Sequence, residues 1–294
     1  RDFCLSRGLG DVYKRQHPGD VTANVRKILS EYLACGIDPE KAAIYVQSDV
    51  KEVLELYLYL NMNAYLGELQ RVTSFKEKAR KQPENVNAGL LTYPTLMAAD
   101  ILIHRADKVP VGKDQEQNME MARKFARRFN TIYGVEFFPE PQSYSFGGDA
   151  IKVPGLDGSG KMGKSEGNAI YLIDDAATIR KKVMKAVTDS GPTQPNSEKP
   201  EAIANLFTML KIVSSADTYD YFNEKYNACE IRYGDLKKQL AEDIVNFTSP
   251  IRERILAYAA DTEYMDKVAR EGAEKARASA DKTIREVRKI IGFN

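Results

Sequence analysis

A short segment rich in glycine and lysine is the part of the chain best suited to binding a charged substrate. It spans residues 158–168, reads GSGKMGKSEGN and places Lys161 and Lys164 three residues apart. Glycine gives the backbone freedom, and backbone amides and ammonium groups both bind phosphate oxygens. The composition therefore predicts a loop that binds a polyanion, and the phosphates of ATP are the expected ligand.

The same segment matches the Walker A pattern, because it ends in Gly163-Lys164-Ser165 with a glycine five residues earlier. In a P-loop NTPase a helix begins at the Lys-Ser pair, and its first amides hold the phosphate. Here residues 166–168 (EGN) break any helix, and the apolar run 169–175 (AIYLIDD) predicts a strand directly afterwards. This context disfavours a P-loop NTPase, and a glycine-lysine loop without a function is the other alternative.

A single carboxylate interrupts an apolar helical stretch near the middle of the chain. Asp100 is flanked by residues 97–99 (MAA) and by Ile101 and Leu102. A carboxylate is costly to bury at such a position without a hydrogen-bond partner. An Asp that caps or pairs inside the fold would meet this need, and so would one that binds a polar group of a ligand.

Helical and strand-like periods of apolar residues alternate along the first half of the chain. We predict strands over residues 43–47 and 108–112 and a polar loop over 76–87. The predicted helices run from Asp20 to Gly36, over about 50–69, from Thr92 to about Ile103, and onward from Asp114. Strands that alternate with helices at this spacing are typical of a parallel sheet with crossover helices.

Capping residues and an amphipathic stripe refine two of these helices. Thr92 is a predicted N-cap, with Pro94 in the first helical turn, and Asp114 is the predicted N-cap of the later helix. Apolar residues of that later helix recur at helical spacing and form its predicted inner face: Met119, Ala122, Phe125, Ala126 and Phe129.

The chain changes character near residue 175. Residues 174–187 have a helical period, 188–200 form a polar loop, and the later apolar periods are all helical. The predicted fold class is therefore α/β, with a Rossmann-like, doubly wound parallel sheet followed by an α-helical domain. We place a Rossmann-like catalytic domain at 17–180 and the helical domain at 181–294.

The first sixteen residues, RDFCLSRGLGDVYKRQ, show neither helical nor strand periodicity. The run GDVYKRQ resembles a translated sequencing-library scar. We therefore expect the native chain to begin near His17 and treat residues 1–16 as a non-native leader, which is left out of the fold prediction.

Composition restricts the class of protein. The 43 Lys and Arg residues nearly balance the 42 Asp and Glu residues, so any nucleic-acid partner must be met by a local basic face. No apolar run approaches the length of a membrane-spanning helix, so we expect a cytoplasmic protein without a membrane partner.

Cysteine and histidine usage argues against a protein metal site. Cys4, Cys35 and Cys229 are too far apart for a zinc or redox motif, and their odd number disfavours a disulfide framework. His17 and His104 are the only histidines, and this low number disfavours a His-based triad or a multi-histidine metal site.

Residues 161–165, Lys-Met-Gly-Lys-Ser, resemble the KMSKS loop of class I aminoacyl-tRNA synthetases. Gly163 stands where that family usually has serine, which removes one hydroxyl and adds backbone freedom. We expect the loop to keep its role.

Further segments resemble the bacterial type of tryptophanyl-tRNA synthetase over nearly the whole span from His17 to Asn294. They are, in chain order, GIDPEKAAIYVQSDV, YLGELQRVTSFKEK, AGLLTYPTLMAADIL and VPVGKDQEQ, followed by KMGKS. The resemblance implies an enzyme that activates L-tryptophan with ATP and loads it onto tRNA(Trp). It also implies a homodimer and an anticodon-recognising helical region at the C-terminus.

The resemblance also implies roles for individual residues. Asp100 matches the Asp that receives the indole N–H, a polar contact that excludes phenylalanine more strongly than shape alone. Tyr93 and Gln115 match positions that contact the α-amino group. The walls of the indole slot match Met97, Val109 and Val111, and Gln47 is a weaker candidate for the same crevice.

The implied reaction needs no side-chain nucleophile, because the tryptophan carboxylate itself attacks the α-phosphorus of ATP. The catalytic residues implied by the match are Lys161, Lys164 and Ser165, with Mg²⁺ carried by the nucleotide phosphates. ATP contacts are implied for Gly112, Asp114, Lys161, Met162, Gly163, Lys164 and Ser165.

The family opens with a strand and a HIGH-type motif that binds ATP, and neither precedes His17 in this sequence. We therefore expect the sheet to lack its first strand and these 294 residues to have little adenylation activity.

Two basic surfaces are candidates for contact with tRNA. One is the outer face of the helix after Asp114, with Arg123, Lys124, Arg127 and Arg128. The other is the terminal helix, where a plain solvated helix is an equal alternative: Lys275, Arg277, Lys282, Arg285, Arg288 and Lys289 alternate with acidic residues.

Two other functions stay open at this point. A tyrosyl-tRNA synthetase would need polar groups for a phenolic hydroxyl where Met97 and Val111 lie. A catalytically silent paralogue that binds RNA or a protein partner would leave the KMGKS segment and Asp100 unexplained.

Overall fold

The computed structural model describes residues 18–81, 83–112, 115–144, 153–163 and 167–293. Over these residues the chain forms eleven α-helices and two short strands. None of the helices in this part of the chain combines the length and apolar character that crossing a bilayer requires.

The chain forms two compact units. The first contains the described residues of Arg1–Leu29, Ile37–Ala150 and Asp261–Asn294, and the second those of Ser30–Gly36 and Ile151–Ala260. The predicted boundary between functional domains at residue 180 is a different division and stays a prediction.

The first unit holds the sheet and most of the predicted α/β elements. Helix α1 (Pro18–Ala34) contributes to both units. The other elements of the first unit are α2 (Glu52–Met62), α3 (Leu66–Arg71), α4 (Thr73–Lys81), α5 (Ala88–Leu102), β1 (Lys108–Pro110), α6 (Glu116–Tyr133), β2 (Gln142–Tyr144) and α11 (Thr262–Ile291), with short 3₁₀ turns at Gln47–Asp49 and Pro83–Asn85.

Strands β1 and β2 pair in parallel, with Val109 opposite Ser143. Parallel neighbours need a crossover connection, and α6 is the helix between them in the chain. The predicted inner face of α6 is buried in the core of the first unit: Met119, Ala122, Phe125, Ala126 and Phe129. The parallel pairing agrees with the predicted parallel sheet with crossover helices, and the buried face of α6 is as predicted, whereas β2 itself was not predicted.

Helix α5 begins one turn earlier than predicted. Asn87, and not Thr92, is its N-cap, because the Asn87 side chain accepts a hydrogen bond from the Leu90 amide at 3.0 Å. Thr92 lies inside the helix and donates to the Ala88 carbonyl at 2.8 Å, and Pro94 also lies inside it. Helix α6 begins at Glu116, and Asp114, its predicted cap, lies outside the described residues.

The single helix predicted over residues 50–69 is wrong, since α2 ends at Met62 and α3 begins at Leu66. The Asn63 side chain donates to the Tyr59 carbonyl at 3.2 Å, and Arg128 donates to the Asn63 carbonyl at 2.9 Å. Such side-chain and tertiary bonds replace the helical ladder at the break and leave no trace in the apolar period.

The loop predicted over residues 76–87 is partly wrong, because α4 continues to Lys81. Lysine, glutamate, alanine and arginine in KEKARK are good helix formers even without a continuous apolar stripe. Polarity alone was therefore a poor sign of a loop here.

The strand predicted over residues 43–47 is not formed, although Val46 has extended angles (φ −84, ψ 127). A strand also requires a paired neighbour, and among the described residues this segment has none. The strand predicted over 169–175 is wrong too. Backbone groups of this segment bond to side chains instead of to a neighbouring strand. The Asp174 side chain accepts from the Tyr171 amide at 2.9 Å, and Lys182 donates to the Ala169 carbonyl.

The second unit is helical, as predicted. It contains α7 (Ala176–Met184), α8 (Glu201–Val213), α9 (Ala216–Asn227) and α10 (Tyr233–Ala260). Residues 188–200 form no helix or strand, as expected for the polar loop. The core packs one face of each helix together, with Ile179, Leu206, Phe222 and Leu240 among its buried residues.

Candidate functional site

The side chain of Asp100 is held by Gln47 in the first unit. The amide nitrogen Nε2 of Gln47 donates to the Asp100 carboxylate and lies 2.7 Å from both of its oxygens. Asp100 is the only charged residue of α5, and its neighbours Ala99 and Ile101 are buried. The structure therefore places Gln47, the weaker candidate for the amino-acid site, in direct contact with Asp100.

Burial raises the pKa of the Asp100 carboxyl to about 7, and the hydrogen bond from Gln47 acts in the opposite direction. A carboxylate that accepts a hydrogen bond is favoured in its charged form, whereas desolvation favours the neutral form. The group therefore changes its charge near neutral pH.

Tyr93, Met97 and Asp100 lie at i, i+4 and i+7 of α5, so they share one face of the helix. The Tyr93 hydroxyl hydrogen-bonds Ser74 of α4, and the Lys78 ammonium lies 4.5 Å from the centre of the Tyr93 ring. Neither α4 residue was predicted for the site: Lys78 lies within the loop predicted over 76–87, and no element was predicted at Ser74.

Three apolar candidates pack into the same core. Met97 is buried, and Val109 of β1 and the following Val111 are half-buried against the core cluster that contains Met97. Aliphatic and thioether side chains offer dispersion contacts without competing polar groups. This cluster can line a slot for a flat aromatic ring.

The chain turns between β1 and α6 at Gly112, whose carbonyl accepts from the Gln115 amide at 2.9 Å. The Gln115 side-chain oxygen accepts from buried Asn118 at 2.9 Å, which holds the Gln115 amide group in place. Asn118 was not predicted, and the Oδ1 atom of its side chain has no partner in the described part of the chain. Asp114 lies outside the described residues.

The glycine-lysine segment lies in the second unit, where buried Asn168 organises it. The Asn168 side chain accepts from the Gly163 amide at 2.9 Å and donates to Asp157, Ser159 and the Lys161 carbonyl at 2.9, 3.0 and 3.1 Å. Gly155 approaches this centre so closely that an added Cβ would lie 2.3 Å from the Asn168 amide nitrogen. The described part of this loop is therefore held in a defined conformation by hydrogen bonds to Asn168.

Lys161 is exposed, and Met162 and Gly163 are half-buried. The Met162 amide donates to the Val153 carbonyl at 3.0 Å, which anchors the segment just before the second lysine. Lys164 and Ser165 lie outside the described residues. Of the five predicted KMGKS positions, the first three are thus located on a loop whose base is fixed.

The P-loop alternative requires a helix that begins at Lys164-Ser165. Residues 167–175 are not helical, and the next helix, α7, begins at Ala176. A P-loop NTPase is therefore inconsistent with this backbone.

The predicted basic face of α6 is largely neutralised by carboxylates. Arg123 pairs with Glu116 and Glu120, while Arg127 pairs with Glu120 and Glu140. Arg128 is paired with Glu68, and exposed Lys124 completes the set. On the terminal helix α11, Arg285 pairs with Asp281, and Arg288 with Glu55.

Comparison with known proteins identifies relatives over most of the chain. The family model for class I tRNA synthetases (W and Y) matches residues 11–249. A tryptophan–tRNA ligase from Porphyromonas gingivalis is 78% identical over 277 residues, which cover 94% of this chain and 85% of that protein. One from Listeria monocytogenes is 41% identical over 272 residues, covering 91% of this chain and 80% of the relative.

Solved structures agree with this assignment. A tryptophanyl-tRNA synthetase from Campylobacter jejuni, complexed with ADP and tryptophan, has a TM-score of 0.84 at 32% identity, covering 97% of this chain and 87% of that one. A tyrosyl-tRNA synthetase from Aeropyrum pernix has a TM-score of 0.59 at 20% identity and covers 85% of this chain and 72% of that one, a likeness in fold alone. These matches confirm the predicted fold class, a Rossmann-like domain followed by a helical domain.

Replacement of Asp100 by Asn should change how stability depends on pH. The folded-state pKa of about 7 lies above the ordinary value of 3.8, so the folded chain holds an extra proton between these values. The stability this group contributes is present below that interval and is lost as the pH rises to about 7.

Urea denaturation at a series of pH values measures the effect. Asp100→Asn should lose less free energy of unfolding across this interval than the wild type. Asp107→Asn, which replaces an exposed carboxylate, is the control and should keep the wild-type slope. Parallel slopes for all three proteins would show that Asp100 does not titrate as described.

Proposed function

The chain belongs to the class I tRNA synthetases for tryptophan and tyrosine, and we propose that it is a tryptophan–tRNA ligase. It activates L-tryptophan with ATP to tryptophanyl-AMP and pyrophosphate, and then transfers tryptophan to the 3′ end of tRNA(Trp). We also propose that it works in the cytoplasm, as expected of an enzyme of protein synthesis.

The observation that carries the choice of amino acid is the Gln47–Asp100 hydrogen bond in an otherwise uncharged helix. Asp100 offers an acceptor for the indole N–H while Met97, Val109 and Val111 line the ring. A phenolic hydroxyl would meet apolar side chains at Met97 and Val111, which disfavours the tyrosyl alternative. A site built around one polar contact rejects a ligand that lacks it, because its own buried group is left unpaired.

The α-amino group of tryptophan is proposed to lie between Tyr93 and Gln115. The contacts of Tyr93 with Ser74 and of Gln115 with Asn118 support this role, since they fix the two side chains before substrate arrives. Because these side chains are already fixed, they hold the α-amino group in one position. The carboxylate of tryptophan is thereby oriented for attack without rearrangement of the site.

Adenylation is proposed to proceed by in-line attack of the tryptophan carboxylate on the α-phosphorus of ATP. The bond to pyrophosphate breaks as the new phosphorus–oxygen bond forms, and negative charge moves onto the departing group. Lys161 and Lys164, with Ser165, are proposed to stabilise that charge, and Gly112 and Asp114 to contact the nucleotide. The fixed base of the loop at Asn168 supports this role, because it leaves Lys161 at an exposed position.

Mg²⁺ is proposed to enter with the nucleotide and to neutralise phosphate charge. No group of three or more His, Cys, Asp or Glu side chains that could hold a metal ion occurs in the described part of the chain.

Amino-acid binding tests the proposed function directly, because the chain contains no tryptophan of its own. The emission of bound tryptophan is therefore free of protein indole fluorescence. We expect saturable binding of tryptophan that tyrosine does not displace at roughly hundredfold excess. Asp100→Ala should lose this binding, and Asp107→Ala, at an exposed position, should keep it.

Pyrophosphate exchange, measured with the full-length parent protein, separates the alternatives. Exchange that depends on tyrosine as strongly as on tryptophan would favour a tyrosyl enzyme. The absence of both exchange and amino-acid binding would favour a silent paralogue that binds RNA or protein.

In a complete enzyme that also contains the family's first strand and HIGH-type motif, Lys164→Ala should lower the rate of tryptophan-dependent exchange by on the order of a hundredfold, while tryptophan affinity changes little. The reason is that the lysine contacts charge that develops only in the transition state. Lys185→Ala, at an exposed lysine next to α7, is the matched control and should leave both quantities unchanged. Equal loss of rate and affinity in Lys164→Ala would contradict a transition-state role.

We further propose a homodimer that buries an apolar stripe of α2 and α3. Leu54, Leu58 and Met62 recur every four residues on α2 and are 43%, 49% and 74% exposed, and the stripe continues into Tyr65 and Leu66. Exposed apolar patches of this kind mark interaction sites, and a second copy can pair with such a patch about a two-fold axis.

Analytical ultracentrifugation tests the dimer. The wild type should sediment with twice the chain mass, and Leu58→Glu should shift it to the mass of one chain because a carboxylate enters the apolar contact. Lys76→Glu, on the exposed surface of α4, should stay dimeric. A wild type with the mass of one chain at micromolar concentration would overturn the proposal.

A further inference from the structure

The terminal helix α11 lies against the segment that carries Gln47. At Gly272 the helix backbone touches the backbone of Ile44, since an added Cβ would lie 1.9 Å from the Ile44 carbonyl oxygen and 2.7 Å from its carbon. Backbone atoms cannot turn aside as a flexible side chain can. The close approach of the α11 backbone to the Ile44 backbone therefore requires glycine at position 272.

Two more contacts join the same face of α11 to the surroundings of this segment. Lys275 donates to the Pro39 carbonyl at 3.2 Å, and the Ser279 hydroxyl lies 3.2 Å from Nδ1 of His104. Residues 272, 275 and 279 follow the i, i+3, i+7 spacing of one helix face. The contact is thus continuous along about two turns of the helix.

The other ring nitrogen of His104 connects α11 to Tyr45 of the segment that carries Gln47. Its Nε2 atom lies 2.9 Å from the Tyr45 hydroxyl, and the two rings meet edge to face. Tyr45 and Gln47 are two residues apart on either side of the extended Val46, so they project to the same side of the backbone.

Gln47 reaches α5 itself, and Tyr45 reaches the turn that directly follows α5. Tyr45 contacts His104 and Gln47 contacts Asp100, four residues earlier in the chain. The segment is therefore held at Ile44 by Gly272 of α11, and at Tyr45 and Gln47 by His104 and Asp100. Gln47 has little freedom to leave the carboxylate while these contacts remain.

We propose that helix α11 positions the amino-acid site, with Gly272 seating the Ile44 backbone so that Gln47 can orient the Asp100 carboxylate. From the sequence, this helix was expected to belong to the anticodon-recognising region, with a plain solvated helix as an equal alternative to a tRNA contact. Gln47 and Gly272 are positioning residues in this scheme, because they act through Asp100. The proposal rests on the proposed tryptophan specificity of that site.

Gly272→Ala tests the proposal through the fluorescence of bound tryptophan. The methyl group displaces the Ile44 backbone, so tryptophan affinity should fall about tenfold, the effect of losing one hydrogen bond to a charged group, while ATP affinity stays within about twofold. Gly234→Ala is the matched control, since that helical glycine has open space around it and should bind tryptophan as the wild type does.

A double-mutant cycle distinguishes positioning from general damage to the fold. Gln47→Leu alone should weaken tryptophan binding about tenfold, and Gly272→Ala should add less than about twofold in the Gln47→Leu background, because both changes remove the same contact. Full additivity of the two losses would overturn the proposal, and so would an unchanged affinity in folded Gly272→Ala.

Ser279 provides the test if Gly272→Ala does not fold. Ser279→Ala removes only a hydroxyl and should weaken tryptophan binding about two- to threefold, and Ser279→Thr should restore it. No loss in Ser279→Ala would then overturn the proposal. A wild type that fails to bind tryptophan would instead overturn the proposed function, and this inference with it.

Discussion

The hydrogen bond between Gln47 and Asp100 is the interaction on which the rest of the site depends. It leaves a carboxylate in a helix that is otherwise uncharged, at a pKa of about 7, where desolvation and hydrogen bonding oppose each other. Without the amide, burial would favour the protonated acid, and the helix would present no charged acceptor. The proposed selection of an indole ring therefore depends on the position of Gln47 beside Asp100.

That placement draws on parts of the first unit that are far apart in sequence. Asp100 comes from α5, Gln47 from a segment before α2, and the support behind Ile44 from Gly272 near the end of the chain. The glycine-lysine loop in the second unit has its own internal order around Asn168. The proposed binding of the amino acid and the proposed stabilisation of the phosphates thus rest on separate sets of contacts.

Apolar periodicity was enough to predict the helices of the second unit and the buried face of α6, because packing dictates those patterns. It could not predict the cap at Asn87 or the α2–α3 break at Asn63, which depend on individual hydrogen bonds. Asp100 was predicted from its cost of burial and from family resemblance. The partners that fix the site, Asn118 and Asn168 among them, were not found, since their contacts exist only in the folded chain.

The central claim is that the Asp100 carboxylate receives the indole N–H of tryptophan. Comparison of tryptophan with its benzothiophene isostere, in which sulfur replaces the N–H group, tests this claim most directly, because shape is nearly kept and the donor is lost. The account predicts that the isostere binds the wild type roughly a hundredfold more weakly or worse, and that Asp100→Ala no longer distinguishes the two ligands. Equal affinity of the wild type for both ligands would contradict it.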